Sequence, residues 1–298
     1  MNVGPNAAVA LKDNEKEQLV EKMITCPFLG SAVAEGKLIV RNSAVDPLAC
    51  IEDVRDLANT GGGDLGDLLV LFAAGNHAFM RGDSGKLDEP APQGFFSLEL
   101  PGSQGAHPGH SGILMGDPTI PGSGRLSLPD FARLAERAAC GVIKRSDAGR
   151  FIAENLMRDP EAKVFGANVV TAFGGDLAGF VMTIGPALLS RLHGLDEKAN
   201  AAHQDLEEKL TKLMGEDNLI GSAGEFGLLF AFLTNKPGAA AIDGEPTVAV
   251  SDLESIFVEK RLPAGFGDWK KLRTDWVKHT TALALSAAMD LHAAKRLD

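Results

Sequence analysis

Apolar residues recur at helical spacing in most periodic segments of this chain, and this pattern constrains the fold more than any other feature of the sequence. In KDNEKEQLVEKMI, four apolar residues share one helical face: Leu19, Val20, Met23 and Ile24. Strands are only weakly indicated, because KLIV and PTVAV are short apolar runs outside any repeated βα unit. We therefore predict an all-α fold with at most a small hairpin.

Further helices follow from the same spacing. They are predicted over residues 64–79, 127–143, 251–262 and about 276–295. Two of them begin with a capping pattern, in which Ser127 is followed three residues later by Asp130, and Ser251 by Glu254. These patterns predict that both helices start at a serine.

A segment rich in glycine, proline and serine, about residues 82–126, interrupts the helical pattern. A loop of this length within a compact domain is usually functional or disordered. It contains two of the seven histidines, His107 and His110. Because no repeat of fixed period and no strong charge break divides the chain, we predict one helical domain over residues 1–298.

The charge balance narrows the range of partners. With 40 acidic and 29 basic residues the formal net charge is −11, which argues against nucleic acid or an anionic membrane surface as the main partner. No signal-peptide pattern or long apolar run is found, and the three cysteines form no CxxC pair. We expect a cytoplasmic protein without membrane attachment. The sequence leaves both a monomer and a homodimer open.

Cys26 is the residue whose position most strongly suggests chemistry. It directly precedes Pro27, and proline is favoured in the first turn of a helix, so CPFLGSAVAEG predicts a helix start with Cys26 at the N-cap. Unpaired backbone amides would then point at the sulfur and lower the thiol pKa, which suits a nucleophile or a soft metal ligand. The competing interpretation is a buried structural cysteine.

The segment TCPFLGSAVAEGKLIVRNS resembles the heme-binding segment of the fungal chloroperoxidase and unspecific peroxygenase family. Three further segments are similar to motifs of that family, in the same order: HSGILMGDPTIPGSGRLSLPDF, VFGANVVTAFGGDLAGF and DLESIFVEKRLPAGFGDW. Together they cover about residues 20–270. The resemblance implies a helical domain that encloses heme b. It also implies an oxidoreductase that uses hydrogen peroxide to hydroxylate or epoxidise a small apolar or aromatic substrate.

The resemblance also implies roles for individual residues. Cys26 would be the thiolate ligand of the heme iron, and a thiolate ligand favours cleavage of the O–O bond. The residues expected to contact the cofactor are Cys26, Pro27, Phe28, Leu29 and Phe173.

This sequence departs from the family pattern on the side where peroxide would bind. Gly175 stands where the family has its acid–base glutamate, and Asp176 follows one residue later. We predict Asp176 as a displaced acid–base residue, with His110 as a second candidate. A helix-capping or salt-bridging role is the competing interpretation of Asp176.

A second departure concerns the family's magnesium site. Met115 stands where a carboxylate would bind the ion, and a thioether is a poor ligand for a hard cation, which argues against magnesium here. Three functions stay open: a peroxide-dependent heme-thiolate enzyme, a heme-thiolate enzyme of other chemistry such as an isomerase, dehydratase or biosynthetic oxygenase, and a non-enzymatic heme-binding helical protein.

Overall fold

The computed structural model describes residues 7–24, 26–70, 94–98, 114–115, 125–158 and 219–294. Within these residues the fold is predominantly helical, as the apolar spacing predicts. The helices are α1 (Asp13–Gln18), α2 (Pro27–Ala34), α3 (Ile51–Ala58), α4 (Leu128–Ala135), α5 (Arg145–Arg158), α6 (Leu219–Leu233), α7 (Val250–Phe257) and α8 (Arg273–Ala293). None of these described helices is both long enough and apolar enough to cross a membrane.

Short antiparallel strands accompany the helices. They are β1 (Val40–Asn42), β2 (Pro47–Cys50), β3 (Phe95–Ser97), β4 (Leu114–Met115), β5 (Arg125–Leu126), β6 (Val142–Lys144), β7 (Ala241–Ile242) and β8 (Glu245–Ala249). They form sheets in the orders β1-β2-β3, β4-β5 and β6-β8-β7. The expectation of at most a small hairpin is therefore wrong, and β3, β4 and β5 lie within the segment predicted as a loop, 82–126.

Helices α5, α6 and α8 form the centre of the hydrophobic core. The lack of a side chain at Gly227 lets α6 approach α8 closely. A Cβ at this position would lie only 2.1 Å from Thr280 Oγ1 of α8. Trp276 of α8 donates its indole N–H to the Gly224 carbonyl oxygen of α6 at 3.0 Å. This packing holds α6 rigidly against α8.

The predicted capping patterns have different outcomes. The Ser127 side chain accepts a hydrogen bond from the Asp130 amide at 3.3 Å, so the start of α4 is confirmed. Helix α7 begins instead at Val250, and no side chain caps it, so the predicted cap at Ser251 is wrong. Strand β8 ends directly before α7 and sets its start.

Helix α4 is also shorter than the predicted span 127–143. It ends at Ala135, and Cys140 and Gly141 then adopt left-handed backbone angles, with φ of 54° and 78°. A helix cannot continue through two left-handed residues, and the chain turns there into β6. The last predicted helix, about 276–295, is confirmed as α8, which starts three residues earlier, at Arg273, and ends at Ala293.

Residues 262–272, here called the closing segment, connect the ends of α2 and α3 with α6. The buried Trp269 donates its indole N–H to the Phe232 carbonyl oxygen of α6 at 2.6 Å. The Asp64 amide, which follows α3, donates to the Lys271 carbonyl oxygen at 3.0 Å. The Leu262 amide donates to Glu35 Oε1, at the end of α2, at 3.0 Å.

Candidate functional site at Cys26

The start of α2 has the geometry that the sequence predicts. Cys26 is the N-cap residue, with extended backbone angles of φ −66° and ψ 112°, and Pro27 occupies the first turn of the helix. The Cys26 carbonyl oxygen accepts the first helical hydrogen bond, from the Gly30 amide, at 2.9 Å. The prediction of a helix that begins directly after Cys26 is therefore confirmed.

Two backbone amides approach the Cys26 sulfur. The N–H groups of Leu29 and Phe28 lie close enough to the sulfur to lower the thiol pKa, but no side-chain hydrogen bond caps the helix. These are the second and third residues of α2, whose amides have no partner within the helix. The sulfur therefore lies at the positive end of α2 without making the capping hydrogen bond that a serine or aspartate oxygen makes in an ordinary N-cap.

Burial has a larger effect on the pKa of the Cys26 thiol than these two amides have. Cys26 is 8% exposed, and loss of hydration raises the pKa of its thiol from 9.0 to about 12. The Leu29 amide opposes this rise most strongly, the Glu225 carboxylate adds to it, and the Lys260 ammonium opposes it. The expected lowering of the thiol pKa is therefore wrong for the metal-free protein, in which Cys26 is a neutral thiol.

The other residues predicted to contact a cofactor at this helix belong to the hydrophobic core. Phe28 stacks on Phe232 with ring centroids 5.0 Å apart and lies 5.2 Å from the ring of Phe266. Leu29 is fully buried. These contacts connect the helix that carries Cys26 to α6 and to the closing segment.

Ser31 ties α2 to α7. Two carbonyl oxygens can accept a hydrogen bond from its hydroxyl: that of Pro27, at 2.8 Å, and that of Ile256 in α7, at 3.1 Å. On the preceding side, a Cβ added at Gly30 would lie 3.8 Å from Val20 and 3.9 Å from Ile24, so α2 lies directly against the segment before it. The position of the sulfur is therefore fixed from both sides.

Glu225 and Lys260 are charged neighbours of Cys26 that the sequence analysis does not identify. Burial lowers the pKa of Lys260, and the charges of Glu21 and Cys26 oppose that effect. Lys260 also has a left-handed backbone, with φ of 53°. No spacing signal connects either residue with Cys26, because α6 and the segment after α7 reach the site only through the tertiary fold.

His279 is a second buried titratable group without a signal in the sequence. It is 5% exposed, and its Nδ1 lies 3.4 Å from Arg145 Nη1 while its Nε2 lies 3.3 Å from Thr234 Oγ1. Burial, aided by the Arg145 charge, lowers the pKa of His279 to about 4. A neutral imidazole that links α5, α6 and α8 is a structural group.

Three of the predicted site residues fall outside the described parts of the chain: Asp176, His110 and Phe173. The prediction that a carboxylate or a histidine lies opposite Cys26 therefore stays a prediction. Met115, which the resemblance aligns with a magnesium ligand, lies in β4 and pairs with Arg125 of β5.

The donor set at Cys26 suits a metal that takes one protein ligand. Among the described residues, no three His, Cys, Asp or Glu side chains converge on a common point. The buried Cys26 sulfur at the start of α2 fits the thiolate ligand of a heme, which takes a single sulfur from the protein.

Comparison of the chain with models of protein families, with curated proteins and with solved structures found no match. The interpretation of the Cys26 site therefore rests on its own residues.

Proposed function

We propose that the protein binds heme b through Cys26 and uses hydrogen peroxide to oxidise a small apolar or aromatic molecule. The observation that carries the proposal is the buried Cys26 sulfur at the start of α2, where the Leu29 and Phe28 amides lower its pKa against the larger effect of burial. The motifs of residues 20–270 that resemble heme-thiolate peroxidases and peroxygenases give the proposal its reaction type.

A bound heme with a thiolate ligand supplies activation of the peroxide O–O bond. The residues of the chain prepare this ligand. The Leu29 and Phe28 amides favour negative charge on the sulfur and would limit the charge that a thiolate donates to iron. Because burial raises the pKa of the Cys26 thiol, Cys26 would have to release one proton to serve as this ligand.

Lys260 has a role in this proposal as a cation close to the ligand. Its ammonium group favours negative charge on the Cys26 sulfur, whereas Glu225 disfavours it. A heme carries two propionates, and Lys260 is the described cation in this region that would pair with one of them. Proton transfer to and from peroxide is assigned to Asp176, with His110 as the second candidate.

The sequence also supports a second candidate function. Gly175 replaces the glutamate that the resemblance places in the acid–base position, so peroxide activation lacks its usual proton carrier. A heme-thiolate enzyme of other chemistry, such as an isomerase or dehydratase, needs no such residue when its substrate supplies the proton. A heme-binding protein without catalytic activity is the third candidate.

Optical spectra of the heme-reconstituted protein test the proposal. We expect the ferrous protein with carbon monoxide to show the red-shifted Soret band of a thiolate ligand, and Cys26→Ala to lose it. Cys50→Ala and Cys140→Ala are the matched controls and should keep it, because these cysteines are half-buried and exposed. Absence of heme uptake, or a spectrum indifferent to Cys26→Ala, would refute the proposed site.

Peroxide assays then separate the three functions. If Asp176 or His110 carries the proton, Asp176→Ala or His110→Ala should lower the rate of substrate oxidation about a hundredfold while the Soret band stays unchanged. A thiolate spectrum with only weak peroxide turnover, unaffected by both substitutions, would favour the non-peroxide enzyme. Bound heme without activity toward any oxidant would favour the heme-binding protein.

A further inference from the structure

A groove lies between α4 and α7, away from the Cys26 sulfur. It is open to solvent, and its volume is about 610 Å³. Phe131, Ala132 and Ala135 of α4 line it on one side, and Val258 lines it on the other. Leu128 at its edge is 61% exposed, so part of the apolar lining faces solvent.

The rim of this groove is acidic. Glu136, Glu254 and Glu259 line it, and no lysine or arginine is among its described lining residues. Glu259 is paired with Arg261 at 2.5 Å, whereas Glu136 and Glu254 form no ion pair with another described residue. Two carboxylates beside an apolar surface are thus available to a cation.

The charges of α4 are segregated between its two sides. Arg133 Nη1 contacts Asp130 Oδ1 at 2.6 Å, and Arg137 pairs with Glu154 of α5. Both arginines are thereby held toward α5, where their guanidinium groups also lie over the ring of Phe151. The side of α4 that faces the groove keeps its carboxylate without a compensating basic residue.

The dipoles of α4 and α7 also favour a positively charged ligand. Glu136 directly follows the last residue of α4, and Val258 directly follows the last residue of α7. The C-terminal end of a helix carries partial negative charge and attracts cations. The groove thus combines two carboxylates, two helix C-termini and an apolar floor.

Helix α7 separates this groove from the Cys26 region. Residues 254 and 258 lie four positions apart and share one side of α7, whereas residue 256 is rotated by about 200° from residue 254. Ile256 is buried, and its carbonyl oxygen accepts the Ser31 hydroxyl of α2. The groove is therefore a separate site that does not depend on heme at Cys26.

We propose that the groove between α4 and α7 binds a small apolar molecule that carries a protonated amine. The apolar part lies against Phe131, Ala132 and Ala135, and the ammonium group lies between Glu136 and Glu254. An anionic molecule of the same shape is repelled by the carboxylates, and a neutral one gains only the apolar contact.

Fluorescence anisotropy with three naphthalene probes tests this site in the full chain. The probes are 1-naphthylmethylamine, which is protonated at neutral pH, the neutral 1-naphthalenemethanol, and 1-naphthaleneacetate, which is an anion. We expect the amine to bind most tightly and the acetate most weakly. Equal affinity for the three probes, or no binding of the amine at millimolar concentration, would overturn the proposal.

Variants locate the binding. The double variant Glu136→Gln with Glu254→Gln should weaken amine binding about threefold to tenfold and leave the neutral probe unchanged, as expected for two surface charge interactions. Ala132→Trp should fill the groove and weaken both probes. Glu17→Gln, an exposed carboxylate of α1, is the matched control and should change neither affinity.

A comparison with Cys26→Ala separates this site from the proposed heme site. Amine binding to the groove should be the same in Cys26→Ala, with or without heme. If amine binding is lost in Cys26→Ala but unchanged by Ala132→Trp and by the double glutamine variant, the amine binds elsewhere and the groove proposal fails. The heme proposal would not be affected by that result.

Discussion

Two cysteines of this protein each precede an eight-residue helix, but their surroundings differ. Cys26 is the N-cap residue of α2, and Cys50 is the N-cap residue of α3. Both have extended backbone angles, and neither side chain forms a capping hydrogen bond. The first turn of α3 contains Glu52 and Asp53, whereas the first turn of α2 contains no acidic residue. Cys26 is buried and Cys50 is only half-buried.

The comparison shows that a cysteine at a helix start does not by itself make a ligand site. Carboxylates in the first turn of α3 already satisfy the positive end of that helix. Asp53 and Glu52 are in turn held by Arg41 and Arg55, both with N to O distances of 2.7 Å. In α2 the Phe28 and Leu29 amides lie near the sulfur without a side-chain capping hydrogen bond, and burial excludes water from it.

Alkylation of the metal-free protein should give the largest difference. Because burial raises the pKa of Cys26 to about 12, its thiolate fraction near pH 8 is about a thousandfold below that of the same cysteine in the unfolded chain, and iodoacetamide should label it correspondingly slowly. Peptide mass spectrometry measures the rate at each cysteine. The exposed Cys140 is the internal control, and labelling of Cys26 before Cys140 would contradict the comparison.

Substitution of Lys271 extends the comparison to the closing segment, which holds both helices. Lys271 is fully buried, and its Nζ donates to the Phe266 carbonyl at 2.6 Å and to the Trp269 carbonyl at 2.8 Å. Lys271→Met leaves both carbonyl oxygens unpaired and should lower the free energy of unfolding by about 3 kcal/mol. Urea denaturation measures the change.

Lys270→Met is the matched control for this experiment, because the neighbouring Lys270 is exposed. We expect it to change the free energy of unfolding by less than about 0.5 kcal/mol. Equal effects of the two substitutions would show that the ammonium of Lys271 does not fasten the closing segment.

The glycines that follow the C-terminal ends of α2 and α3 extend the comparison of these two helices. Gly36 after α2 and Gly61 after α3 both have left-handed backbones, with φ of 68° and 73°. A Cβ at Gly36 would meet no atom within 4 Å, whereas one at Gly61 would lie 2.3 Å from the Trp269 carbonyl oxygen. Gly36→Ala should therefore cost about 1 kcal/mol of stability and Gly61→Ala about 2 to 3 kcal/mol.

Thermal or urea denaturation of these two variants measures the difference. The cost common to both is the left-handed backbone, and the excess at Gly61 is the displacement of the closing segment. If both substitutions have the same cost, the contact between the end of α3 and Trp269 is less tight than the structure has it.

Alkaline pH should also distinguish the two cysteines. A raised pKa in the folded state means that the neutral Cys26 thiol stabilises the fold below about pH 9, and that this stability is lost as the pH rises toward 12. Between about pH 8.5 and 10.5 the loss should be about 2 kcal/mol. Cys26→Ala should remove this loss of stability with rising pH, and Cys50→Ala should keep it, as measured by urea denaturation. Identical slopes in the two variants would contradict the assignment.

The helical class and the start of α2 could be predicted because both are encoded locally. Proline after Cys26 and apolar spacing in residues 276–295 act through the chain's own backbone and side-chain period. The charged neighbours of the sulfur, Glu225 and Lys260, could not be predicted, since their approach depends on how distant segments pack.

The sheets were missed for a different reason. Each described strand has two to five residues, which is too short for alternation to be distinguished from helical spacing. The end of α4 was misplaced because the left-handed pair Cys140 and Gly141 interrupts a run of apolar residues that otherwise suits a helix. Such a turn is decided by the pairing of β6 with β8, which lies far along the chain.

The attachment of α2 to the later part of the chain has a consequence for the order of events during synthesis. The hydrogen bond from Ser31 to Ile256 joins residues 225 positions apart, and that from Leu262 to Glu35 joins residues 227 positions apart. Contacts this distant in sequence form late, and they cannot form until the ribosome has produced residues 250–272. The surroundings of Cys26 are therefore completed only after residues 250–272 have been translated, and a group that needs the whole site can bind only after that point.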